Sequence, residues 1–182
     1  MATRDDQLTR MYEKHNRAIR AYCLRRIGDA DASDAVSEVF AVAWRRIDDV
    51  PDDEMTLPWL YGVARRVVSD HYRSNSRRAR LAGKLSNVRP LVPSQPDWEV
   101  VQRAEYDQVH AALSVLREKD REVLLLAAWE ELSNDQIAAT IGCSPEAAAQ
   151  RIHRAKKKLG STFRALSRSG PPPTVANGSE RA

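Results

Sequence analysis

Cysteine is scarce in this chain, and long apolar runs are missing. Of the 182 residues only Cys23 and Cys143 are cysteines, and neither lies near a second Cys or a His at metal-ligand spacing. This spacing argues against a disulfide framework and against a zinc site, and we expect no metal and no cofactor. No stretch approaches the roughly 20 apolar residues of a membrane span, and Met1 to Arg10 lacks the apolar core of a signal peptide. We expect a cytoplasmic protein without membrane insertion.

Signatures of catalysis and of β-structure are missing as well. The chain has no Gly-rich phosphate loop followed by a Lys, no cluster of metal ligands and no clear nucleophile–base pair. These absences disfavour an enzyme that acts on nucleic acid, and no catalytic residue is predicted. Strand-like alternation of useful length and internal repeats are also lacking, so we predict an all-α fold.

The charge of the chain is mildly positive overall but unevenly distributed. The formal net charge is +4, which suggests a polyanionic partner without identifying one. Acidic residues dominate from Asp29 to Glu54, whereas the segment from Arg73 to Arg89 contains several Arg and Lys residues and no acid. This asymmetry predicts separate surfaces with separate partners.

Apolar residues at steps of three and four predict two helices at the start of the chain. The first runs from about Asp5 to Ile27 and is ended by Gly28. The second is predicted to open after Asp31 or Ser33, either of which can cap the free amides. The residues of the first stripe are Leu8, Met11, Tyr12, His15, Ile19, Tyr22 and Cys23. Those of the second are Val36, Val39, Phe40, Ala43 and Ile47.

A third helix is predicted after an acidic loop. The segment Asp48 to Thr56 contains Pro51 and is interpreted as a loop, and Pro58 suits the first turn of the helix that follows. Its apolar stripe comprises Leu60, Val63, Ala64, Val67, Val68 and His71 or Tyr72. The opposite, basic side comprises Arg65, Arg66, Ser69, Asp70 and Arg73.

Glycine, proline and serine are frequent between Ala82 and Pro96, and the regular helical spacing of apolar residues is lost there. This composition is typical of a flexible linker, so we predict two small helical domains. The predicted parts are a first domain over 1–81, a linker over 82–97, a second domain over 98–168 and a disordered tail over 169–182.

The second domain is predicted to contain a helix-turn-helix. Two helices come first, one with Val101, Ala104, Val109, Ala112, Leu113 and Leu116 on its stripe and one over about Asp120 to Trp129. Ser133 can then cap a short helix, Gly142 supplies a tight turn, and Ser144 with Pro145 opens another helix. A short helix, a Gly turn and a second helix form a helix-turn-helix.

The last helix has one apolar face and one polar face. Ala148, Ile152, Ala155 and Leu159 share a face at helical spacing and should dock on the domain. The outward residues are then Glu146, Gln150, His153, Arg154 and Lys157. Such side chains can hydrogen-bond base edges near the helix start and meet phosphates further along, which favours DNA binding. The alternative is a solvated helix end whose cations complement the helix dipole.

The order of these parts resembles the extracytoplasmic-function (ECF) sigma factors. The resemblance covers about 8–78 and 101–166. In the first half it rests on Asp31 to Val36, Val39-Phe40, Ala43-Trp44, Trp59 to Arg66, and Asp70 to Arg73. In the second half it rests on Leu116, Arg121 to Leu126, Leu132-Ser133, Gln136 to Ala138, and Arg151 to Ala155.

This resemblance implies a factor that binds core RNA polymerase and directs it to promoter DNA, with an anti-sigma protein as a further candidate partner. The first domain would correspond to sigma region two and the second to region four. The second helix would bind core polymerase through Asp34, Glu38, Val42, Trp44 and Arg45. The third helix and the loop before it would read the minus-ten element through Asp52, Asp53, Glu54, Arg65, Arg66, Ser69, Arg73, Arg77 and Arg78. The last helix would read the minus-thirty-five element through Glu146, Gln150, Arg151, His153, Arg154, Lys157 and Lys158.

Two other classes of function remain open from the residues alone. One is a stand-alone helix-turn-helix regulator, which the Asp31-to-Trp44 and Trp59-to-Arg73 patterns disfavour. The other is a protein adaptor that uses the acidic second helix. Trp44 and Trp59 are interpreted as core or interface anchors rather than stackers of nucleobases.

Overall fold

The computed structural model of the chain describes residues 3–81 and 100–169, with side chains over 3–78 and 108–168. These residues form seven α-helices and no strand, which confirms the predicted all-α fold. The helices are α1 (Arg4–Ile27), α2 (Asp29–Arg45), α3 (Thr56–Leu81), α4 (Val100–Val115), α5 (Glu118–Ala128), α6 (Asn134–Ile141) and α7 (Pro145–Ser169). The predicted linker and the predicted tail beyond Ser169 lie outside the described residues. Within them, no helix has the length and apolar character needed to cross a membrane.

The junction between α1 and α2 is a single residue. The Gly28 amide donates to the Leu24 carbonyl at 3.1 Å and ends α1, and α2 begins at the next residue. The predicted capping by Asp31 or Ser33 is therefore wrong, since α2 has no side-chain cap. Gly28 has φ +76°, a conformation that glycine adopts without steric cost, and it turns the chain without a loop.

The first three helices pack against one another around the predicted apolar faces. The residues predicted to be buried on α2 and the aliphatic stripe of α3 are all buried. Tyr12 was predicted to be buried with the other residues of the α1 stripe, but it is 46% exposed. It instead packs edge-on against Phe40, with ring centroids 4.8 Å apart, at the margin of the core.

The last four helices form the second half of the fold. Helix α7 packs against α4, α5 and α6 and is its central element. Ala112, Leu113 and Leu116 of the α4 segment are buried as predicted, whereas Val109 is 39% exposed. The apolar run of α5 is buried from Val123 to Leu126.

The two halves are in direct contact. Helix α3 of the first half packs against α6 of the second, and the buried apolar residues of both halves form one continuous cluster. This contact was not predicted, because the sequence pattern indicated two domains connected by a linker alone.

Candidate functional site

The helix-turn-helix forms as the sequence predicts. The Ser133 hydroxyl accepts from the Gln136 amide at 3.2 Å, and the Gln136 side chain accepts from the Ser133 amide at 3.0 Å. This reciprocal capping box begins α6. Gly142 follows α6 in the left-handed conformation, with its amide 2.8 Å from the Ala138 carbonyl oxygen. The Ser144 hydroxyl then caps α7 by accepting from the Ala147 amide at 3.2 Å.

Helix α7 presents its predicted polar face to solvent. Ala148, Ile152 and Ala155 are buried against the domain, and Leu159 is half-buried. The predicted outward residues, Glu146, Gln150, His153, Arg154 and Lys157, are all exposed, as is Lys158, while Arg151 is half-buried. At the start of the helix, the backbone amide of Glu146 and the Ser144 hydroxyl lower the pKa of the Glu146 carboxyl. Glu146 is therefore an ionised acceptor at that end.

Lys158 has a partner within the protein. Its ammonium group forms a salt bridge with the carboxylate of Asp120 in the first turn of α5. Arg151 and Arg154 line a surface recess beside this pair. Lys158 is therefore an anchor between α5 and α7 as well as a predicted DNA contact.

The basic side of α3 faces a cleft. Arg65, Arg66, Ser69 and Arg73 line a cavity of about 550 Å³, and Glu118, Lys119, Arg121 and Glu122 of α5 line its other side. Arg65 is half-buried, and its Nε atom has no hydrogen-bond partner among the described residues. Arg73 pairs with Asp70 at 3.1 Å, and Arg77 and Arg78 are exposed.

The acidic loop before α3 is held both by hydrogen bonds within it and by salt bridges of its carboxylates. The Thr56 hydroxyl donates to the Pro51 carbonyl at 2.7 Å, and the Met55 amide donates to the Asp52 carbonyl at 3.1 Å. Asp53 has φ +32°, and its carboxylate lies 3.5 Å from the Lys14 ammonium. Asp52, Asp53 and Glu54 all remain exposed. The loop consequently presents negative charge beside the basic helix.

The predicted polymerase-binding residues lie on the outside of α2. Asp34, Glu38, Trp44 and Arg45 are exposed, and Val42 is half-buried. Glu38 Oε2 lies 3.5 Å from Nε2 of His71 on α3. The Trp44 indole is 37% exposed, so it is not a core residue.

An ionic cluster that the sequence pattern did not predict lies between α1 and the second half. The Arg26 guanidinium lies 3.2 Å from a carboxylate oxygen of Glu122 and 3.2 Å from one of Glu130. The Tyr22 hydroxyl donates to Glu122 at 2.8 Å, and Arg25 forms a salt bridge with Glu130. In the sequence, Arg25 and Arg26 are indistinguishable from ordinary basic residues at a helix end, because their partners are about a hundred residues away.

Other side chains complete this cluster. The Tyr61 hydroxyl donates to Glu130 at 3.4 Å, and the Arg26 guanidinium lies 3.4 Å from the centre of the Tyr22 ring. Burial alone would lower the pKa of Arg26, but Tyr22, Glu122 and Glu130 outweigh it and raise that pKa. Arg26 therefore stays protonated. No group of three or more His, Cys, Asp or Glu residues in the described part of the chain could hold a metal ion.

Comparison with known proteins identifies both halves. The family model "Sigma-70 region 2" matches residues 11–78, and "Sigma-70, region 4" matches residues 106–159. The RNA polymerase sigma factor CnrH of Cupriavidus metallidurans is 31% identical over 146 residues, which are 74% of each chain. The sigma factor NccH of Alcaligenes xylosoxydans is 29% identical over 155 residues, 82% of each chain. The ECF sigma factor EcfG of Rhodopseudomonas palustris is 28% identical over 145 residues, covering 79% of this chain and 78% of EcfG.

Solved structures share the fold. CnrH in complex with the cytosolic domain of CnrY matches with a TM-score of 0.57 and 25% identity, over 87% of this chain and 88% of that one. The sigma factor RpoE of Bartonella quintana, in complex with the anti-sigma factor NepR, matches with a TM-score of 0.62 and 21% identity, over 86% and 96%. With region 2 in its first half and region 4 in its second, the chain belongs to the sigma-70 family of RNA polymerase sigma factors, in the ECF group.

Proposed function

We propose that three surfaces of this chain divide the work of a sigma factor, which binds core RNA polymerase and directs promoter recognition and transcription initiation. The observation that carries the proposal is the separation of an acidic face on α2 from basic faces on α3 and α7. Each of these faces is built on a helix whose other side is buried. Opposite charges on separate helices suit one protein partner and two stretches of promoter.

The face of α2 is proposed to bind core polymerase. Asp34, Glu38 and Val42 follow one another at steps of four, so they form a ridge along the helix. Trp44 and Arg45 lie at its end. A half-exposed Trp beside charged residues is typical of a protein interface, where aromatic and Arg side chains supply much of the binding energy.

Helix α3 and the loop before it are proposed to hold the minus-ten element. Separating DNA strands costs a few kcal/mol of stacking for each extruded base, so the single strand needs cations to hold its phosphates. Arg65, Arg66 and Arg73, continued by Arg77 and Arg78, supply that charge. The exposed carboxylates of Asp52, Asp53 and Glu54 can accept from the amino groups of cytosine or adenine, and Ser69 adds a hydroxyl to the basic face.

Helix α7 is proposed to read the minus-thirty-five element from the major groove. Its exposed Glu146, Gln150 and Arg154 follow the outward ridge from the helix start, where base contacts are made in helix-turn-helix proteins. His153, Lys157 and Lys158 lie where phosphates would pass, and Arg151 is at the border of the buried face. A stand-alone regulator would also use such a helix, but it would have no need of the α2 ridge.

Three further properties belong to this proposal. The factor acts without catalysis of its own and works in the cytoplasm, where its polymerase is. An anti-sigma protein is a further partner, since CnrH and the Bartonella RpoE are each seen in complex with another protein, which for RpoE is an anti-sigma factor.

Reconstitution with core polymerase tests the proposal. We expect the purified chain to co-purify with core enzyme and to support run-off transcription from a subset of promoters in a genomic library. Reversing charge with Asp34→Lys and Glu38→Lys should weaken core binding, while the exposed Glu13→Gln on α1 should not. Specific duplex binding by the free chain at nanomolar affinity, without transcription, would favour the stand-alone regulator.

A further inference from the structure

Two cations of α1 contact the acidic loop before α3, one near each end of the loop. Arg4, in the first turn of α1, forms a salt bridge with Asp48, where the loop begins. Further along the same helix, the Lys14 ammonium lies 3.5 Å from the carboxylate of Asp53. Since an α-helix rises 1.5 Å per residue, these cations are about 15 Å apart along the helix axis. The loop is therefore held against α1 at two points that the helix keeps at a fixed distance.

The start of the loop has two further contacts. The Ile47 side chain, directly before the loop, is 1% exposed and anchors the backbone in the core. The Nε atom of Arg46 lies 2.9 Å from the carboxylate of Asp49, and the Arg46 guanidinium lies 5.6 Å from the centre of the Trp59 ring on α3. The beginning of the loop is thus fixed locally, whereas its second half depends on the contact with α1.

These contacts divide the carboxylates of the loop into two sets. Asp48, Asp49 and Asp53 are each paired with a cation. The carboxylates of Asp52 and Glu54 are exposed and have no hydrogen bond or ion pair within the described part of the chain. A carboxylate without a partner keeps all of its acceptor positions. The first set can therefore fix the loop, while the second can accept from the amino group of a base.

The backbone at Asp53 needs support. Its φ of +32° lies in the left-handed region, which residues other than glycine occupy only at a cost in free energy. Its neighbours in the chain are the unpaired Asp52 and Glu54, so the torsions at Asp53 set the relative directions of both free carboxylates. The contact with Lys14 thus acts on the residue that determines where the free acceptors lie.

We propose that Arg4 and Lys14 are positioning residues for promoter recognition. In the loop conformation that they stabilise, Asp52 and Glu54 accept from a base of the minus-ten element. The recognition step rests on the proposed function of the loop, whereas the restraint of the loop by the two cations does not. An exposed ion pair shifts an equilibrium by no more than about fivefold, so each cation should change the discrimination between bases by up to that factor.

Hydrogen exchange in the free, full-length protein tests the restraint. The amides of Val50 and Met55 donate to backbone carbonyls at 3.4 and 3.1 Å, so their exchange reports on the order of the loop. We expect Arg4→Ala and Lys14→Ala to accelerate this exchange by up to about fivefold. The matched control is Arg17→Ala, which removes another exposed cation of α1 and should change nothing. Unchanged exchange in both Arg4→Ala and Lys14→Ala would overturn the restraint.

Transcription by reconstituted holoenzyme on a library of minus-ten elements tests the positioning. We expect Lys14→Ala to reduce the ratio of yields between promoters that differ by one base, by up to about fivefold. A merely structural role would lower all yields alike and leave this ratio unchanged, as Arg17→Ala should. Exchanging the charges gives a rescue: Arg4→Asp alone should reduce the ratio, and Arg4→Asp with Asp48→Arg should restore it. An unchanged ratio, or a double variant no better than the single one, would overturn the positioning role.

Variants of the free carboxylates separate this result from that of the proposed function. Asp52→Asn and Glu54→Gln should alter the preferred base at the minus-ten element, because a side-chain amide also donates. If neither alters it, the proposed role of the loop fails, and the exchange measurement still decides whether the cations restrain the loop. If they alter it but Arg4→Asp and Lys14→Ala do not, the loop reads bases and the positioning by α1 fails.

Discussion

The hydroxyl oxygen of Thr140, in the first helix of the helix-turn-helix, lies 3.0 Å from the carbonyl oxygen of Pro58 in the first turn of α3. The same hydroxyl lies 2.8 Å from the Gln136 carbonyl oxygen of its own helix. Because Thr140 is 3% exposed, water does not compete for this contact. One buried hydroxyl thus links the two halves of the chain.

Replacing this hydroxyl should weaken the contact. Thr140→Val keeps the shape but removes the donor, and we expect the free energy of unfolding to fall by about 1 kcal/mol, the usual net worth of a hydrogen bond. Urea denaturation of the full chain measures this change. Thr140→Ser retains the hydroxyl and should lose less of the free energy of unfolding. A smaller loss in Thr140→Val than in Thr140→Ser would assign the contact to the methyl group instead.

The capping box of α6 should be measurable in the same way. Ser133→Ala removes the hydroxyl that accepts from the Gln136 amide, so we expect a loss of about 1 kcal/mol in the free energy of unfolding. Ser133→Asp supplies another acceptor and should recover most of it. The matched control is Ser161→Ala, which changes an exposed serine within α7. A loss as large in that control would mean that capping is not the cause.

The two cysteines should differ in reactivity. Cys23 is fully buried in α1, and burial raises the pKa of its thiol to about 11, whereas Cys143 is partly exposed. At pH 8 only about one Cys23 thiol in a thousand would be the reactive thiolate. We expect iodoacetamide to modify Cys143 well before Cys23, as followed by peptide mass spectrometry. Equal rates of modification of the two thiols in the folded protein would contradict the burial of Cys23.

Residues of α7 should divide into two classes of DNA contact. Gln150→Ala and Arg154→Ala should relax preference at single promoter positions, at a cost of about 1–3 kcal/mol each. Lys157→Ala should weaken binding to all promoters alike. It should also lower the slope of the logarithm of the binding constant against the logarithm of the salt concentration by about one unit. Transcription by reconstituted holoenzyme on a library of upstream elements measures both. Identical preference profiles in all three variants would show that this face does not read bases.

The salt bridge between Lys158 and Asp120 changes the expectation for one of those cations. Lys158→Ala removes a link between α5 and α7 as well as a cation, so its effect on DNA binding should be accompanied by a loss of stability. That loss should be small, because half of the Lys158 side chain is exposed and ion pairs screened by solvent contribute roughly 0–1 kcal/mol. Thermal unfolding of Lys158→Ala beside Lys157→Ala separates the two roles.

Features set by neighbouring residues could be predicted from the sequence. The helix-turn-helix depends on Ser133, Gly142 and Ser144, each of which acts on backbone groups within a few positions of itself. The faces of α2 and α3 follow from apolar spacing alone. The start of α2 was misplaced because Gly28 serves both helices at once, leaving no separate cap to recognise.

Features set by distant residues could not be predicted. Glu130 follows an apolar run, and its position in the sequence is typical of a solvated residue at a helix end. In the structure its side chain is buried, and its carboxylate accepts from three side chains of α1 and α3. Val109 continues an apolar stripe but is exposed, because no helix of the described chain covers that position. Pairing across about a hundred residues leaves no periodic signal in the sequence.

The one-residue junction at Gly28 joins α1 to α2 with no loop between them. With no loop to absorb motion, a tilt of α2 must be taken up by the backbone torsions of Gly28 or passed on to the end of α1. Arg26 lies two residues before that pivot. Any change in the angle between α1 and α2 is therefore made two residues from the guanidinium that joins the two halves.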